Sequence, residues 1–131
     1  MDWFILGFRR WADFGGRSSR LEYIAFIYPI YVAVFAAFQA LVMVYPDRMS
    51  RPDWALFGFF GAFLAISVPV WAITVRRMHD INLPGGILVF GAFIPGLNFL
   101  FLILLSLIPG TNGENNYGDE AGVPSDYLGK L

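Results

Sequence analysis

Apolar residues fall into three long runs separated by short polar stretches. The runs cover residues 21–45, 54–75 and 87–108. Only Glu22 and Gln39 interrupt the first run, and the second contains no charged residue. About 20 apolar residues are enough for a helix to cross roughly 30 Å of hydrocarbon. The pattern therefore predicts an all-α integral membrane protein with three transmembrane helices, and it gives no reason to expect strands.

The third run is interrupted near its middle by Pro95, Gly96 and Asn98. Two interpretations are open. One is a single kinked span of about 33 Å at 1.5 Å per residue, and the other is a re-entrant hairpin of two short halves. We expect the single span, which separates the polar tail, residues 109–131, from the side on which the run begins. A hairpin would return the tail to that side.

The first 20 residues have an amphipathic pattern. On a helical wheel, one face collects Trp3, Phe4, Gly7, Phe8, Trp11 and Phe14. Charged residues gather on the opposite face, as in helices that lie in a membrane interface. We expect an interfacial helix with Trp3, Phe8 and Trp11 facing acyl chains, and an unstructured segment is the alternative. The whole chain, 1–131, is then a single membrane domain with an interfacial segment (1–20), a transmembrane core (21–108) and a polar tail (109–131).

Composition supports the membrane assignment and argues against several kinds of binding site. The chain is 57% hydrophobic and 15% charged, with a mean hydropathy of +0.59. Soluble domains have about 45–50% apolar and about 25% charged residues. The net charge of −1 provides no broad basic surface, so we expect no nucleic-acid partner. There is no cysteine and a single histidine, which argues against thiolate or multi-histidine sites, and we expect no metal and no cofactor.

Basic residues predict the orientation in the membrane. Six lie on the side of the N-terminus: Arg9, Arg10, Arg17, Arg20, Arg76 and Arg77. Three lie on the other side if the third run spans once: Arg48, Arg51 and Lys130. The positive-inside rule then puts the N-terminus in the cytoplasm. A re-entrant third segment would move Lys130 and change the count to seven against two, so the charge count leaves the side of the tail open.

Small residues recur along the second run at spacings of three and four. They are Gly58, Gly61, Ala62 and Ala65. Small side chains allow the backbone of another helix to approach closely. We interpret them as a helix-packing face, and the alternative is the general abundance of glycine and alanine in membrane helices.

Two polar motifs flank the first two runs. GRSSRLEY, residues 16–23, precedes the first run, and RRMHD, residues 76–80, follows the second. Ser18 or Ser19 can cap the first helix, and a carboxylate at Glu22 suits its first turn. Because both motifs adjoin helix ends on the same predicted side, we expect one interfacial polar network. Its members are Arg17, Arg20, Glu22, Arg76, Arg77, His79 and Asp80.

The same residues permit two other interpretations. The arginines can hold a lipid phosphate, because guanidinium groups match phosphate oxygens. His79 beside Asp80 suggests a general base. Adjacent residues on a helix point about 100° apart, however, so Asp80 is poorly placed to orient the imidazole. A structural network is therefore favoured over catalysis.

Four motifs in this order resemble a known family. They are GRSSRLEY, RRMHDINLPGG, IPG and PGTNGENNYGDE, within a stretch from Phe14 to Glu120. Together they resemble the small bacterial inner-membrane proteins of the YhaH/YhaI type, domain of unknown function 805. The recurring family positions map onto Gly16, Arg17, Arg20, Glu22, Arg76, Arg77, His79, Asp80, Pro109, Gly110, Gly113, Asn115, Tyr117 and Gly118. The resemblance implies a multi-pass protein of the bacterial inner membrane and implies no particular activity.

Three classes of function fit these observations. We favour a non-enzymatic scaffold or accessory subunit that binds lipids and associates with itself or with a larger membrane complex, because no catalytic set is recognisable. A subunit of a small-solute or ion transporter or channel is one alternative, based on Gln39 and Asn98 within the membrane. An interfacial lipid-modifying enzyme using His79 and Asp80 is the other.

Overall fold

The computed structural model describes residues 2–47, 52–88 and 97–121, and within these ranges it is helical. The four helices are α1 (Asp2–Arg9), α2 (Arg20–Val44), α3 (Asp53–Asp80) and α4 (Leu97–Leu107). Over the same ranges there is no strand, only an isolated bridge between Asn115 and Gly118. The all-helical class predicted from the hydropathy pattern is therefore found in the described chain.

Helices α2 and α3 are long and apolar enough to cross a bilayer. They have 25 and 28 residues, or about 38 and 42 Å at 1.5 Å per residue. Only 6% of the most apolar stretch of α2 and 17% of that of α3 is buried, whereas the core helix of a soluble protein is mostly buried. These surfaces suit a hydrocarbon solvent.

The ends of these two helices follow from local sequence. Ser19 has an extended backbone, and its side chain accepts a hydrogen bond from the Glu22 amide at 3.2 Å, so Ser19 rather than Ser18 is the N-cap of α2. Asp53 lies in the first turn of α3, where a carboxylate suits the helix dipole. Helix α3 continues five residues beyond the apolar run, to Asp80. The RRMHD motif is therefore the last part of a helix and not a loop.

The core lies at one end of the helix pair, which we call the charged end: the end where α2 begins and α3 finishes. Its buried apolar residues are Tyr23, Phe26, Ile27, Ile30, Ile73, Met78, Leu102 and Leu105. Towards the opposite end, which we call the loop end, Ala55 is the one buried residue among 31–47 and 52–68. Packing within the chain is thus concentrated near the charged motifs.

Helix α1 packs across the first turns of α2. The rings of Phe4 and Phe8 lie 5.7 and 5.0 Å from that of Phe26. Gly7 touches the same ring so closely that a Cβ would lie 2.2 Å from a ring carbon. The apolar stripe of α1 is therefore partly covered by α2. Phe8 packs on Phe26, and 40% of Phe8 stays exposed. Trp11, just after the helix, stays 56% exposed.

Helix α4 extends over 11 residues, or about 16 Å, within the described part of the chain. It runs antiparallel to α2, since Phe99 contacts Tyr31 while Ser106 accepts a hydrogen bond from the Tyr28 hydroxyl at 3.4 Å. Beyond its end, the Thr111 amide donates to the Asp80 carbonyl at 2.8 Å.

The chain also enters the third apolar run at the charged end. Gly85 lies against Val75 of α3, and Ile87 packs on the core. Both ends of the run therefore lie near the end of α3, whereas a single span would separate them by about 30 Å. The single span expected from the hydropathy pattern does not fit these contacts. The predicted interruption at Pro95 and Gly96 lies outside the described residues.

Gly7→Ala should destabilise the protein, because the added methyl group displaces α1 from Phe26. We expect a loss of about 1–3 kcal/mol in the free energy of unfolding, typical of overpacking. Gly61→Ala is the matched control, since nothing lies within 4 Å of a Cβ there. Both changes gain about the same helix propensity. Unfolding in detergent micelles checks the difference, and equal stabilities would contradict the packing of α1.

Candidate functional site

Four arginine side chains converge at the charged end. Arg76 and Arg77 are fully buried, Arg17 is 3% exposed and Arg10 is 9% exposed. The carboxylates beside them come from two buried residues and one half-exposed residue: Glu22, Asp80 and Asp13. A buried guanidinium is tolerated only when it is paired and its N–H groups are hydrogen-bonded. The positions of these partners therefore define the site.

Arg76 joins α3 to the segment between α1 and α2. Its Nε donates to the Ser18 hydroxyl at 2.8 Å, and its Nη1 donates to the carbonyls of Arg10, at 2.9 Å, and Asp13. Its Nη2 lies 3.4 Å from the Glu22 carboxylate. The Ser18 amide in turn donates to the Arg76 carbonyl at 3.1 Å. One side chain thus holds three parts of the N-terminal region.

Arg77 joins α3 to the end of α4. Its Nε donates to the Leu105 carbonyl at 2.9 Å, and its Nη2 donates to the Ile108 carbonyl. Its Nη1 contacts the Asp80 carboxylate. The last carbonyls of a helix lack partners within the helix, and a cation there also suits the helix dipole. Arg77 therefore acts as the C-terminal cap of α4.

Arg17 holds the segment that follows α4. Its Nε and Nη2 lie 3.0 and 2.9 Å from one oxygen of Asp80, and the guanidinium also donates to carbonyls of Thr111, Gly113 and Gly118. A Cβ at Gly110 would lie 2.1 Å from the other oxygen of Asp80. Glycine is therefore required where this segment passes the carboxylate.

His79 and Asp80 use different partners, although they are adjacent. The Nδ1 of His79 lies 3.1 Å from the Gly16 carbonyl, which can only accept, so this nitrogen carries a proton. The imidazole stacks on Tyr117, with ring centres 4.0 Å apart and planes 4° apart. Asp80 faces the two arginines instead. The geometry of a carboxylate orienting an imidazole is thus not present in this pair.

The structure brings most of the predicted site residues together in two ion-pair groups. Arg17 and Arg77 share Asp80, and Arg76 pairs with Glu22. His79 lies alongside, bound to backbone and to Tyr117 rather than to these charges. Arg20 is exposed at the start of α2 and takes no part in the ion pairs.

Sequence reasoning missed several members of the site. Arg10 lies 4.0 Å from Glu22 and pairs with Asp13 at 2.8 Å, and Ser18 serves Arg76 rather than the helix cap. The Arg10 and Asp13 spacing of three was a visible signal for an ion pair. No pattern indicated the backbone carbonyls of 105–118, because every residue type carries one.

The four small residues of α3 lie outside this site. Gly58, Gly61, Ala62 and Ala65 are all exposed, and nothing lies within 4 Å of a Cβ placed at either glycine. Contacts among the described helices therefore leave this face uncovered. Over residues 2–47, 52–88 and 97–121, no group of three or more His, Cys, Asp or Glu residues is arranged to hold a metal ion.

Long apolar helices joined by a buried arginine cluster define a helical membrane protein. The family model described as protein of unknown function (DUF805) matches residues 11–119, which include every residue of the ion-pair network except Arg10. The chain belongs to this family.

Two curated relatives of known location are similar along nearly their whole length. Inner membrane protein YhaI of Escherichia coli strain K12 is 29% identical over 123 residues, which cover 92% of this chain and 95% of the relative. Inner membrane protein YhaH of the same strain is 29% identical over 126 residues, covering 92% and 96%. No solved structure matches the chain. The family and these relatives support an inner-membrane protein and name no activity.

Asp80→Asn should be strongly destabilising, because it leaves Arg17 and Arg77 buried without their carboxylate. We expect a loss of about 3–5 kcal/mol, the range for removing one partner of a buried ion pair. Asp13→Asn is the control, since the Asp13 side chain is 46% exposed and should contribute less than about 1 kcal/mol. Unfolding free energies in detergent compare the two variants. A small and equal loss would show that Asp80 is not needed to hold the arginines.

Proposed function

We propose that this protein is a multi-pass scaffold or accessory subunit of a bacterial inner-membrane complex and that it catalyses no reaction by itself. The uncovered face of α3 at Gly58, Gly61, Ala62 and Ala65 carries this proposal. Such a face allows another helix to pack with close backbone contact, which drives association in lipid. The partner is a second copy or a larger membrane protein, with lipids covering the remaining surface.

The chemistry of the charged end supports a structural role for its residues. The N–H groups of Arg17, Arg76 and Arg77 are directed at carbonyls, carboxylates and the Ser18 hydroxyl of the same chain. A cluster committed in this way positions α1, α4 and the segment after α4 against α3. At this end Arg9 and Arg20 are exposed, and these two arginines can bind a lipid phosphate.

The proposed topology places the charged end at the cytoplasmic face, with the N-terminus inside. Helices α2 and α3 are the two full spans, and the third apolar run is a re-entrant hairpin that enters and leaves at this face. Contacts of Thr111 with Asp80, and of Arg77 with Ile108, support the hairpin. The resulting count of seven basic residues inside against two outside agrees with the positive-inside rule.

Single-cysteine labelling tests the topology, because the natural chain contains no cysteine. Asn116→Cys should react with a membrane-impermeant maleimide only in inside-out vesicles, since the hairpin returns residue 116 to the cytoplasmic face. Pro46→Cys, at the loop end, should react only in intact spheroplasts. Labelling of residue 116 from outside would restore the single span and overturn the hairpin.

Disulfide cross-linking in native membranes tests the helix-packing face. Gly61→Cys should give a discrete cross-linked species under mild oxidation, or with a bifunctional thiol reagent if the partner lacks a cysteine. Adding Gly58→Leu should abolish that species by blocking close approach. Phe60→Cys is the control, because Phe60 is 58% exposed and points about 160° around the helix from Gly58 and Ala62. Equal cross-linking at both positions, or none at either, would reject the scaffold proposal.

A further inference from the structure

A cavity of about 320 Å³ lies between α2, α3 and α4. Its wall is mostly aliphatic and aromatic, and it includes Phe63 and Phe99. Six side chains with polar groups also line it: Tyr23 and Thr74 nearer the charged end, and Tyr31, Ser67, Trp71 and Asn98 farther along the helices. Ligand sites are characteristically apolar pockets of about 300–1,000 Å³ with a few polar groups. The polar residues therefore decide what the cavity can recognise.

Three of these residues, Tyr31, Trp71 and Asn98, lie near the middle of the proposed membrane spans. Tyr31 is 11 residues beyond the start of α2, and Trp71 is nine residues before the end of α3. At 1.5 Å per residue they are about 14–16 Å from the charged end, close to the middle of the hydrocarbon. Asn98 is in the first turn of α4 and lines the same cavity. The headgroups and ester groups of phospholipids lie at the surface and do not reach this depth.

Three hydrogen-bond donors that line the cavity have no hydrogen-bond partner among residues 2–47, 52–88 and 97–121. Within the described part of the chain, the Tyr31 hydroxyl, the Trp71 indole N–H and the Asn98 amide make no hydrogen bond. Ser67 donates to the Leu64 carbonyl at 2.6 Å and keeps only acceptor capacity. Unpaired polar groups in hydrocarbon cost several kcal/mol. A ligand with acceptor oxygens would satisfy the three donors.

A second, almost wholly apolar groove of about 520 Å³ continues from this cavity. It shares Tyr31, Phe63 and Phe99 with the cavity and extends between α2 and α3 past Phe38 and Phe59. Those two residues are farther along the helices towards the loop end. The combined space thus has a polar pocket at mid-depth and an apolar extension.

We propose that this cavity binds a neutral, membrane-soluble carbonyl compound with a flat conjugated ring and an alkyl or isoprenoid tail, the chemical class of the quinones. The ring carbonyls accept hydrogen bonds from Tyr31, Trp71 and Asn98, and the ring packs on aromatic side chains. The tail occupies the apolar groove. This binding site goes beyond the scaffold role and does not depend on it.

Tryptophan fluorescence tests the site on the full-length protein in detergent micelles. In a Trp3→Phe, Trp11→Phe, Trp54→Phe variant, Trp71 is the only emitter, and the probe is a benzoquinone with a decyl tail. We expect saturable quenching. A matched variant that keeps only Trp54 should show quenching that rises linearly by partitioning, because Trp54 lines neither space. Linear quenching of Trp71 would overturn the proposal.

Three substitutions in the Trp71-only background locate the contacts. Asn98→Leu should weaken binding about fivefold, the effect of one lost hydrogen bond of about 1 kcal/mol. Ser67→Leu fills the cavity and should weaken binding at least tenfold. Ala36→Leu adds the same kind of bulk at an exposed position outside both spaces and should leave binding unchanged.

Folding and competition controls keep the test decisive. Circular dichroism establishes that each variant retains its helices, and Ser67→Leu tests the site independently of Asn98→Leu. Unchanged affinity in Ser67→Leu, or equal weakening by Ala36→Leu, would overturn the site. Displacement of the quinone probe by excess phosphatidylglycerol would show that the site is a generic acyl-chain groove. That result would overturn the assignment to carbonyl compounds.

Discussion

The structure depends on one constraint: a guanidinium removed from water must have its N–H groups bonded within the protein. Arg76 and Arg77 are fully buried on α3, so acceptors have to come to them. The acceptors are mainly backbone carbonyls, provided by the segment after α1 and by the end of α4. The side chains of Arg76 and Arg77 therefore determine which segments pack against the end of α3.

The end of α4 follows from the same constraint. A helix that ends beside protein at a membrane face needs its final carbonyls satisfied, and Arg77 bonds two of them. The described residues of α4 contact Tyr28 and Tyr31 of α2 and Arg77 of α3, in the half of the helix pair that includes the charged end. The cavity and the groove lie farther towards the loop end, where the helices are packed less tightly than at the charged end.

The molecule thus separates the residues that hold its fold from the surfaces that we propose for interaction. Arg17, Arg76, Arg77, Glu22 and Asp80 lie in the most buried region and engage one another or the backbone. The small-residue face of α3 and the polar cavity lie farther along the apolar helices, where few described residues are buried. The arginine motifs on which the resemblance to this family rests are therefore, in this chain, residues that maintain the fold.

The sequence by itself determined the helical class, the two long apolar helices and the end of the molecule where opposite charges would meet, because hydropathy and helix capping are local properties. It also predicted that Glu22 and Asp80 would be among the partners of the arginines. Tertiary structure alone decided that α3 continues to Asp80, that Arg10 joins the cluster and that Arg20 does not. It also decided that Ile87 and Ile108, at the two ends of the third apolar run, both lie near the end of α3. The physical reason is that these outcomes depend on backbone carbonyls and on close approaches such as Gly7 to Phe26, which no residue type announces in advance.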